Sequence, residues 1–325
     1  MCTAATYTNN NSHYFGRNLD YEFSYGEEAV IIPRNFPFQF REAGELKSHY
    51  AIIGVAYVAD GFPLLYDGIN EKGLGVAGLN FVGNAVYFDH VDGKDNIAQF
   101  EFLPWILGQC ATVAEARTLL NKLNFRNLSF SDQLPASELH WIINDGKESI
   151  VVESVADGLK IYDNPIGVLT NNPPFDNMLL NLSNYQHLSA NPPDNNLAPG
   201  VNLPQYSRGM GAIGLPGDLS SESRFVKAAF TKLNSLSPDD ELSNVGQFFH
   251  ILHSVDQQRG CAALGDDKYE ITIYSDCYNL TKGLFYYTSY TNHQITGIDM
   301  HKADLESSEL ARFPFVTDEQ VNYLN

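Results

Sequence analysis

Apolar positions along this chain alternate with polar ones, or run together briefly, and most runs end at a turn signal. Residues 2–8 and 12–18 are two such runs on either side of Asn9-Asn10-Asn11. The runs 50–58, 63–66 and 74–81 repeat the pattern, broken by Asp60-Gly61 and Asp67-Gly68. A further meander covers 139–144, 149–155 and 159–162, turning at Asp145-Gly146 and Asp157-Gly158. Near the end, 269–274, 283–290 and 294–300 again read as strands.

Helical spacing appears in two groups. Residues 97–108 are apolar on most faces and predict one buried helix. Thr112-Val113-Ala114-Glu115 has the form of a capping box and opens a helix to about Leu123. Residues 221–233 and 243–255 are amphipathic at the helical period. Pairs of helices between groups of strands predict an α+β fold of two sheets covered by helix layers. No internal repeat or domain boundary interrupts residues 1–325, so a single domain is expected. Residues 187–208 are rich in Pro and Asn and have no period; a loop that long is usually functional.

Composition narrows the function. Twenty Lys and Arg stand against 39 Asp and Glu, a net charge of −19, while only 18% of residues are charged. The imbalance therefore comes from scarce bases, not from an acidic tract. A nucleic-acid partner needs a basic footprint that is missing here, and an anionic membrane surface would repel the chain. No window is long and apolar enough to predict a membrane span. The first residues lack the basic and apolar regions of a signal peptide, so a cytoplasmic location is expected. Cysteines at 2, 110, 261 and 277 include no CxxC pair and form no disulfide framework. The sequons at Asn10, Asn127, Asn181 and Asn279 carry no meaning without a secretory signal.

Several motifs point away from common chemistries. The glycines of Gly73-Leu74-Gly75-Val76-Ala77-Gly78 match GxGxxG, but they sit inside a strand with no helix after them. Close sheet packing is the better reading. His250 and His253 share a helix face, with no glutamate or carboxylate spacing that completes a metal site. There is no GxSxG elbow. No metal site is expected.

Cys2 is the unusual residue. Removing Met1 leaves an α-amine and a thiol on one residue. Their ordinary pKa values are about 8 and about 8.5, so the amine can serve as base for its own thiol. If 2–8 and 12–18 form a hairpin, Arg17 returns beside Cys2 and favours its thiolate. Asp20 is then placed to accept a hydrogen bond from the amine.

These features extend into a resemblance. Met1-Cys2-Thr3, Gly16-Arg17-Asn18-Leu19-Asp20 and Ile32-Pro33-Arg34-Asn35 are similar to the choloylglycine hydrolases, the bile salt hydrolases and penicillin V acylases among N-terminal-nucleophile enzymes. So are Asn70-Glu71-Lys72-Gly73-Leu74-Gly75, Gly78-Leu79-Asn80-Phe81, Leu139-His140-Trp141 and Ser149-Ile150-Val151-Val152-Glu153. The resemblance continues through Gly167-Val168-Leu169-Thr170-Asn171, Gly214-Leu215-Pro216-Gly217-Asp218, Ser223-Arg224-Phe225 and Phe248-Phe249-His250-Ile251-Leu252, so it covers nearly the whole chain.

The resemblance implies a four-layer αββα sandwich and an enzyme without cofactor. It implies Cys2 as nucleophile and Arg17 and Asp20 as the charged residues that hold the thiol and amine. Asn80 and Asn171 match the oxyanion and amine-orienting positions, and Arg224 supports the site electrostatically. Family members often carry Ser where this chain has Asn172, which leaves open which asparagine faces the thiol; Asn171 is taken because it follows Leu169-Thr170.

The implied reaction is hydrolysis, through a thioester, of the amide joining a bile acid to glycine or taurine. The alternative is penicillin V or another N-acyl amide. Penicillin V acylases tend to carry Tyr at the position of Asn80, which favours the bile salt. A steroid needs an apolar, aromatic pocket. Leu19 and Tyr25 align with pocket-lining positions, and Phe62 and Leu134 lie in loops that could also close over a steroid, with core packing the reading of each taken alone. The family also implies a homotetramer, with 187–208 a protruding assembly loop.

Overall fold

The computed structural model describes residues 1–325. Fourteen strands build its two sheets: β1 Cys2–Asn9, β2 Ser12–Tyr21, β3 Glu28–Ile32, β4 Ile52–Ala59, β5 Phe62–Asn70, β6 Gly75–Asn80, β7 Leu139–Asn144 and β8 Ser149–Val155, then β9 Gly158–Asp163, β10 Val168–Leu169, β11 Ile271–Asn279, β12 Leu284–Ser289, β13 Asn292–Asp299 and β14 Ala311–Pro314. The helices are α1 Phe102–Gln109, α2 Val113–Leu120, α3 Phe175–Leu182, α4 Ser221–Asn234 and α5 Glu241–His253.

One sheet has the order β10-β1-β2-β11-β12-β13, the other β9-β8-β7-β6-β5-β4-β3-β14. Every pairing within them is antiparallel. Helices α4 and α5 cover the six-stranded sheet at β1, β2 and β11; α1 covers the eight-stranded sheet at β4, β5 and β6. The two sheets face each other through β1, β2 and β6. This is the expected αββα sandwich.

The strand period of two explains how one sequence fills two cores. Ile31, Ile53, Ile69, Ala77, Ile142 and Val151 point into the space between the sheets. Their neighbours Val30, Ile32, Ile52, Val76, Ile143 and Ile150 point the other way, toward α1. Covered on both faces, the central strands therefore read as continuous apolar runs. Two of the GxGxxG glycines are packing sites: a Cβ on Gly75 would meet the Phe15 ring at 2.8 Å, and one on Gly78 would meet the Trp141 indole at 3.1 Å.

The single helix expected over 97–108 is a correction. Residues 95–98 pair in parallel with 123–126, a 3₁₀ turn follows, and α1 begins only at Phe102. Pro104 explains the late start. It has no N–H to donate, so it is tolerated in a first turn and not in a helix interior. Glu101 then caps the break, accepting from the backbone N–H of Ala98 at 2.9 Å and of Arg41 at 2.5 Å. Thr112 caps α2 by accepting from Glu115 N, but the Glu115 carboxylate bonds the N–H of Ala111, one residue before the cap. Strands β3 and β14 and helix α3 lie where the periodicity gave no element. Residues 187–208 contain no helix or strand and are largely exposed, with Leu197 at 93% and Tyr206 at 83% exposure.

Candidate active site

The site starts from the β1–β2 hairpin. Its register sets Cys2 opposite Leu19 and Ala4 opposite Arg17. Cys2, Leu19 and Arg17 therefore share one face, the face toward the second sheet, and Asp20 lies on the other, toward the helices. Cys2 is 4% exposed.

Arg17 is wholly buried and bridges the sheets. Its Nη1 donates to Gly78 O at 2.5 Å and Tyr66 O at 3.3 Å, and its Nε to Asn18 O at 3.4 Å. Its Nη2 is buried with no protein acceptor. Burial works against the charge of the guanidinium, and the groups around it, Cys2 first and then Tyr274 and Asp67, favour it.

Arg224, in the first turn of α4, reaches the site from the helix side. Its Nη1 donates to Cys2 O and to Thr3 Oγ1, both at 2.6 Å, and its Nη2 to Asn171 Oδ1 at 2.8 Å. Asp20 Oδ1 accepts from Thr272 Oγ1 at 2.6 Å, and Oδ2 lies 3.8 Å from Arg224 Nη1. Burial pushes the Asp20 carboxyl up and the Arg224 guanidinium down; the opposite charge of each partner offsets only part of this.

Asn171 joins the two sides. Its Oδ1 accepts from the Cys2 backbone N–H at 2.7 Å as well as from Arg224, and its Nδ2 donates to Asn80 O at 2.8 Å. Two donors on one end and a carbonyl on the other fix the amide's orientation. Asn172 turns away and donates to Val82 O at 2.6 Å. With Met1 in place the Cys2 nitrogen is an amide. The chain's α-amine is on Met1, where it donates to Asp20 O at 2.9 Å and pairs with Glu270; burial pulls it below its ordinary value. The backbone N–H of Cys2 is held by Asn171, and the Asp20 carboxylate accepts from Thr272 instead. Asp20, on the opposite face, supports Arg224.

A cavity of about 490 Å³ opens on Cys2 and Arg17. Sixteen of its 25 lining residues are hydrophobic, so an apolar guest is favoured. Leu19, Tyr25 and Leu134 line it, and so does Asn80, whose side-chain amide has no protein partner. Phe62 does not line it. Its ring packs behind the wall, 6.1 Å from Phe100 and 6.0 Å from Phe130, and also against Phe38. Phe100 and Phe130 are the wall itself. Phe23 and Tyr66 also line the cavity and were missed from sequence. Phe23 is the one with a readable signal, because it follows Leu19 and Tyr21 at the strand period. A larger, open cleft of about 680 Å³ lies across Phe23, against residues 312–317, and no cysteine lines it. No group of His, Cys, Asp or Glu is gathered to hold a metal ion, and no helix is long and apolar enough to cross a membrane.

This arrangement suits acyl chemistry: a thiol beside a buried cation, a Cys2 nitrogen fixed by an amide oxygen, and the Asn80 amide lining the same apolar cavity. A family model described as linear amide C–N hydrolases, choloylglycine hydrolase family, matches residues 2–313. The chain is 53% identical over 325 residues to a bile salt hydrolase/transferase of Lactiplantibacillus plantarum, covering 100% of both chains. It is 38% identical over 330 residues to the bile salt hydrolase/transferase of Clostridium perfringens, again over 100% of both. The crystal structure of the C2A mutant of the conjugated bile acid hydrolase from Clostridium perfringens superposes with a TM-score of 0.92 at 37% identity, covering 100% of each chain. Penicillin V acylase from Agrobacterium tumefaciens shares the fold, with a TM-score of 0.77 at 20% identity over 96% of this chain and 91% of that one.

Proposed function

The chain belongs to the choloylglycine hydrolase family of linear amide C–N hydrolases, and we propose that it cleaves the amide joining a bile acid to glycine or taurine, with Cys2 as nucleophile after removal of Met1. The observation that carries this reading is the Cys2–Asn171 contact at the floor of an apolar cavity. Loss of Met1 turns the Cys2 nitrogen into the α-amine and leaves its Asn171 acceptor in reach.

In this mechanism the Cys2 thiolate, faced by Arg17, attacks the amide carbonyl. The Asn80 side-chain N–H receives the developing oxyanion; one such donor is typically worth about 10²–10³ in rate. The tetrahedral intermediate expels the amine of glycine or taurine, which takes its proton from the Cys2 ammonium, and a thioester remains. A water then gives its proton to the same amine and attacks the thioester, and the bile acid leaves as the thiolate is restored. Arg224 and Asp20 hold Cys2 and Asn171 from the helix side. The steroid occupies the apolar wall near Leu19, Tyr25 and Leu134. The curated relatives are named hydrolase/transferase, and the same thioester can pass to an amine in place of water.

The reading also places the enzyme in the cytoplasm, in keeping with four free cysteines. It assembles as a homotetramer through the exposed segment 187–208, whose Leu197 and Tyr206 lack cover. Sedimentation as a monomer at micromolar concentration would contradict the tetramer.

The test compares glycocholate, taurocholate and penicillin V as substrates of protein shown by intact mass to lack Met1. Turnover of the bile salts and its loss in Cys2→Ser are expected. Full activity of that variant, or of protein that retains Met1, overturns the mechanism. Preference for penicillin V overturns the substrate.

A further inference from the structure

We propose that Asp67 is a positioning residue for the nucleophile: its carboxylate stands behind the Arg17 guanidinium and limits the positive charge shown to Cys2, with Asp276 serving it as a neutral acid. The proposal rests on Cys2 being the nucleophile.

Asp67, on β5, is completely buried between the sheets. Tyr274 Oη donates to its Oδ2 at 2.6 Å and Tyr278 Oη to its Oδ1 at 2.5 Å. Arg17 Nε lies 4.0 Å from Oδ2. Two hydroxyl donors and a guanidinium thus surround the carboxylate. The donors arrive through an irregularity in β11. Thr272 faces Asp20 on the helix side, and the register shift before Tyr274 sets that residue opposite Leu19, on the inner face. Asp276 and Tyr278 follow at the strand period.

Asp276 is also buried. Its Oδ1 accepts the Arg17 backbone N–H at 2.7 Å, while its Oδ2 meets no N–H or O–H donor. Tyr274 and Tyr278 flank Asp276 on one strand face and both reach Asp67, so the two carboxyls are neighbours. Two neighbouring carboxylates cannot easily both ionise in a dry site. Both Asp67 oxygens already accept a tyrosine hydroxyl, so the shared proton belongs on Asp276. Burial, with the charge of Asp67 second, pushes the Asp276 carboxyl far above the usual range, in agreement. Burial likewise keeps Tyr274 and Tyr278 neutral.

The cluster then sums to zero: one positive Arg17, one negative Asp67, one neutral acid. The groups facing Arg17 are Cys2 on β1, Tyr66 and Asp67 on β5, and Tyr274 and Asp276 on β11; Asp20 and the terminal amine lie across β2. Arg17 does not depend on Asp67 for its place, because three carbonyls hold it. Removing the Asp67 charge therefore leaves an uncompensated guanidinium beside the thiol. The thiol loses its proton at lower pH, and the resulting thiolate is a weaker nucleophile, about threefold per pH unit.

The test is iodoacetamide alkylation of Met1-free protein, read on the Cys2 peptide by mass spectrometry across pH, without substrate. In Asp67→Asn the midpoint is expected to fall by about one pH unit, and the plateau rate at high pH by about threefold. Asp276→Asn mimics the neutral acid beside Asp67 and keeps the wild-type midpoint. An unmoved midpoint in D67N, or an equal shift in D276N, overturns the proposal. If D67N does not fold, infrared spectra decide. The wild type at pH 7 is expected to show a buried carboxylic-acid carbonyl band that is missing in D276N; a wild type without that band overturns the assignment. Failure to hydrolyse bile salts would count against the proposed substrate and leave this pair untouched, because alkylation needs no substrate.

Discussion

Asn171 Oδ1 lies 2.7 Å from the Cys2 nitrogen, and the same oxygen takes a second hydrogen bond from Arg224. The asparagine on the β10 side thus sets the direction of the nitrogen lone pair through a position the guanidinium has already fixed. Asn171→Ala is expected to lower kcat by about 10²-fold, the usual cost of a misplaced reacting group, with KM changed only a few-fold. Asn172→Ala, which loses only a contact to Val82 O, keeps kcat near the wild type. Steady-state kinetics on glycocholate check both; equal losses would show that Asn171 has no special role.

Asn80 presents a side-chain amide to the cavity while its carbonyl is held by Asn171. Asn80→Ala is expected to reduce kcat by about 10²–10³, with folding intact. A change confined to KM, measured over the same substrate range, would assign Asn80 to binding and move the oxyanion donor elsewhere.

Phe62 and Leu134 separate wall from backing. Leu134→Ala enlarges the cavity and is expected to raise KM for glycocholate several-fold with little change in melting temperature. Phe62→Ala removes a ring packed on Phe38, Phe100 and Phe130 and is expected to cost up to about 3 kcal/mol of stability with a smaller change in KM. Thermal melts and kinetics on the two variants check the division.

Asp256 gives the stability a pH dependence. Burial and then the neighbouring charge of Asp20 push its carboxyl up to about 7, although Asn18 Nδ2 donates to it at 3.1 Å. Its folded-state value lies above the ordinary value near 4, so folding retains a proton that the unfolded chain has released. The contribution is complete below about pH 4 and is lost as pH rises through about 7. Asp256→Asn removes that dependence. Its melting temperature relative to wild type should climb between pH 4.5 and pH 8 and then level off. A constant difference over that range would contradict the assignment.

Much of the site could be read in the chain. A tight Asn9-Asn10-Asn11 turn fixes the hairpin register, and register alone returns Arg17 to the face of Cys2. The αββα layering was legible because strands and helices came in separate, grouped periods. Helix α1 was misread because an apolar run has no period to mark where its strand ends, and only the missing N–H of Pro104 locates the start. Phe62, the first residue of β5, backs the wall, because an aromatic at a strand end looks alike in sequence whether it lines a cavity or supports the ring that does.

The sequence by itself determined the hairpin that sets Arg17 on the face of Cys2, since a short antiparallel pair needs only local turn chemistry and the two-residue period. The tertiary structure decided what surrounds them. Asn171 over Asn172, Arg224 against the Cys2 carbonyl, and Asp67 with its tyrosines behind Arg17 all join elements tens to hundreds of residues apart. The register shift before Tyr274, which selects the face that tyrosine serves, leaves no trace in a hydrophobic pattern. Contacts of that kind depend on how two sheets and a helix layer close on one another, and no local periodicity encodes it.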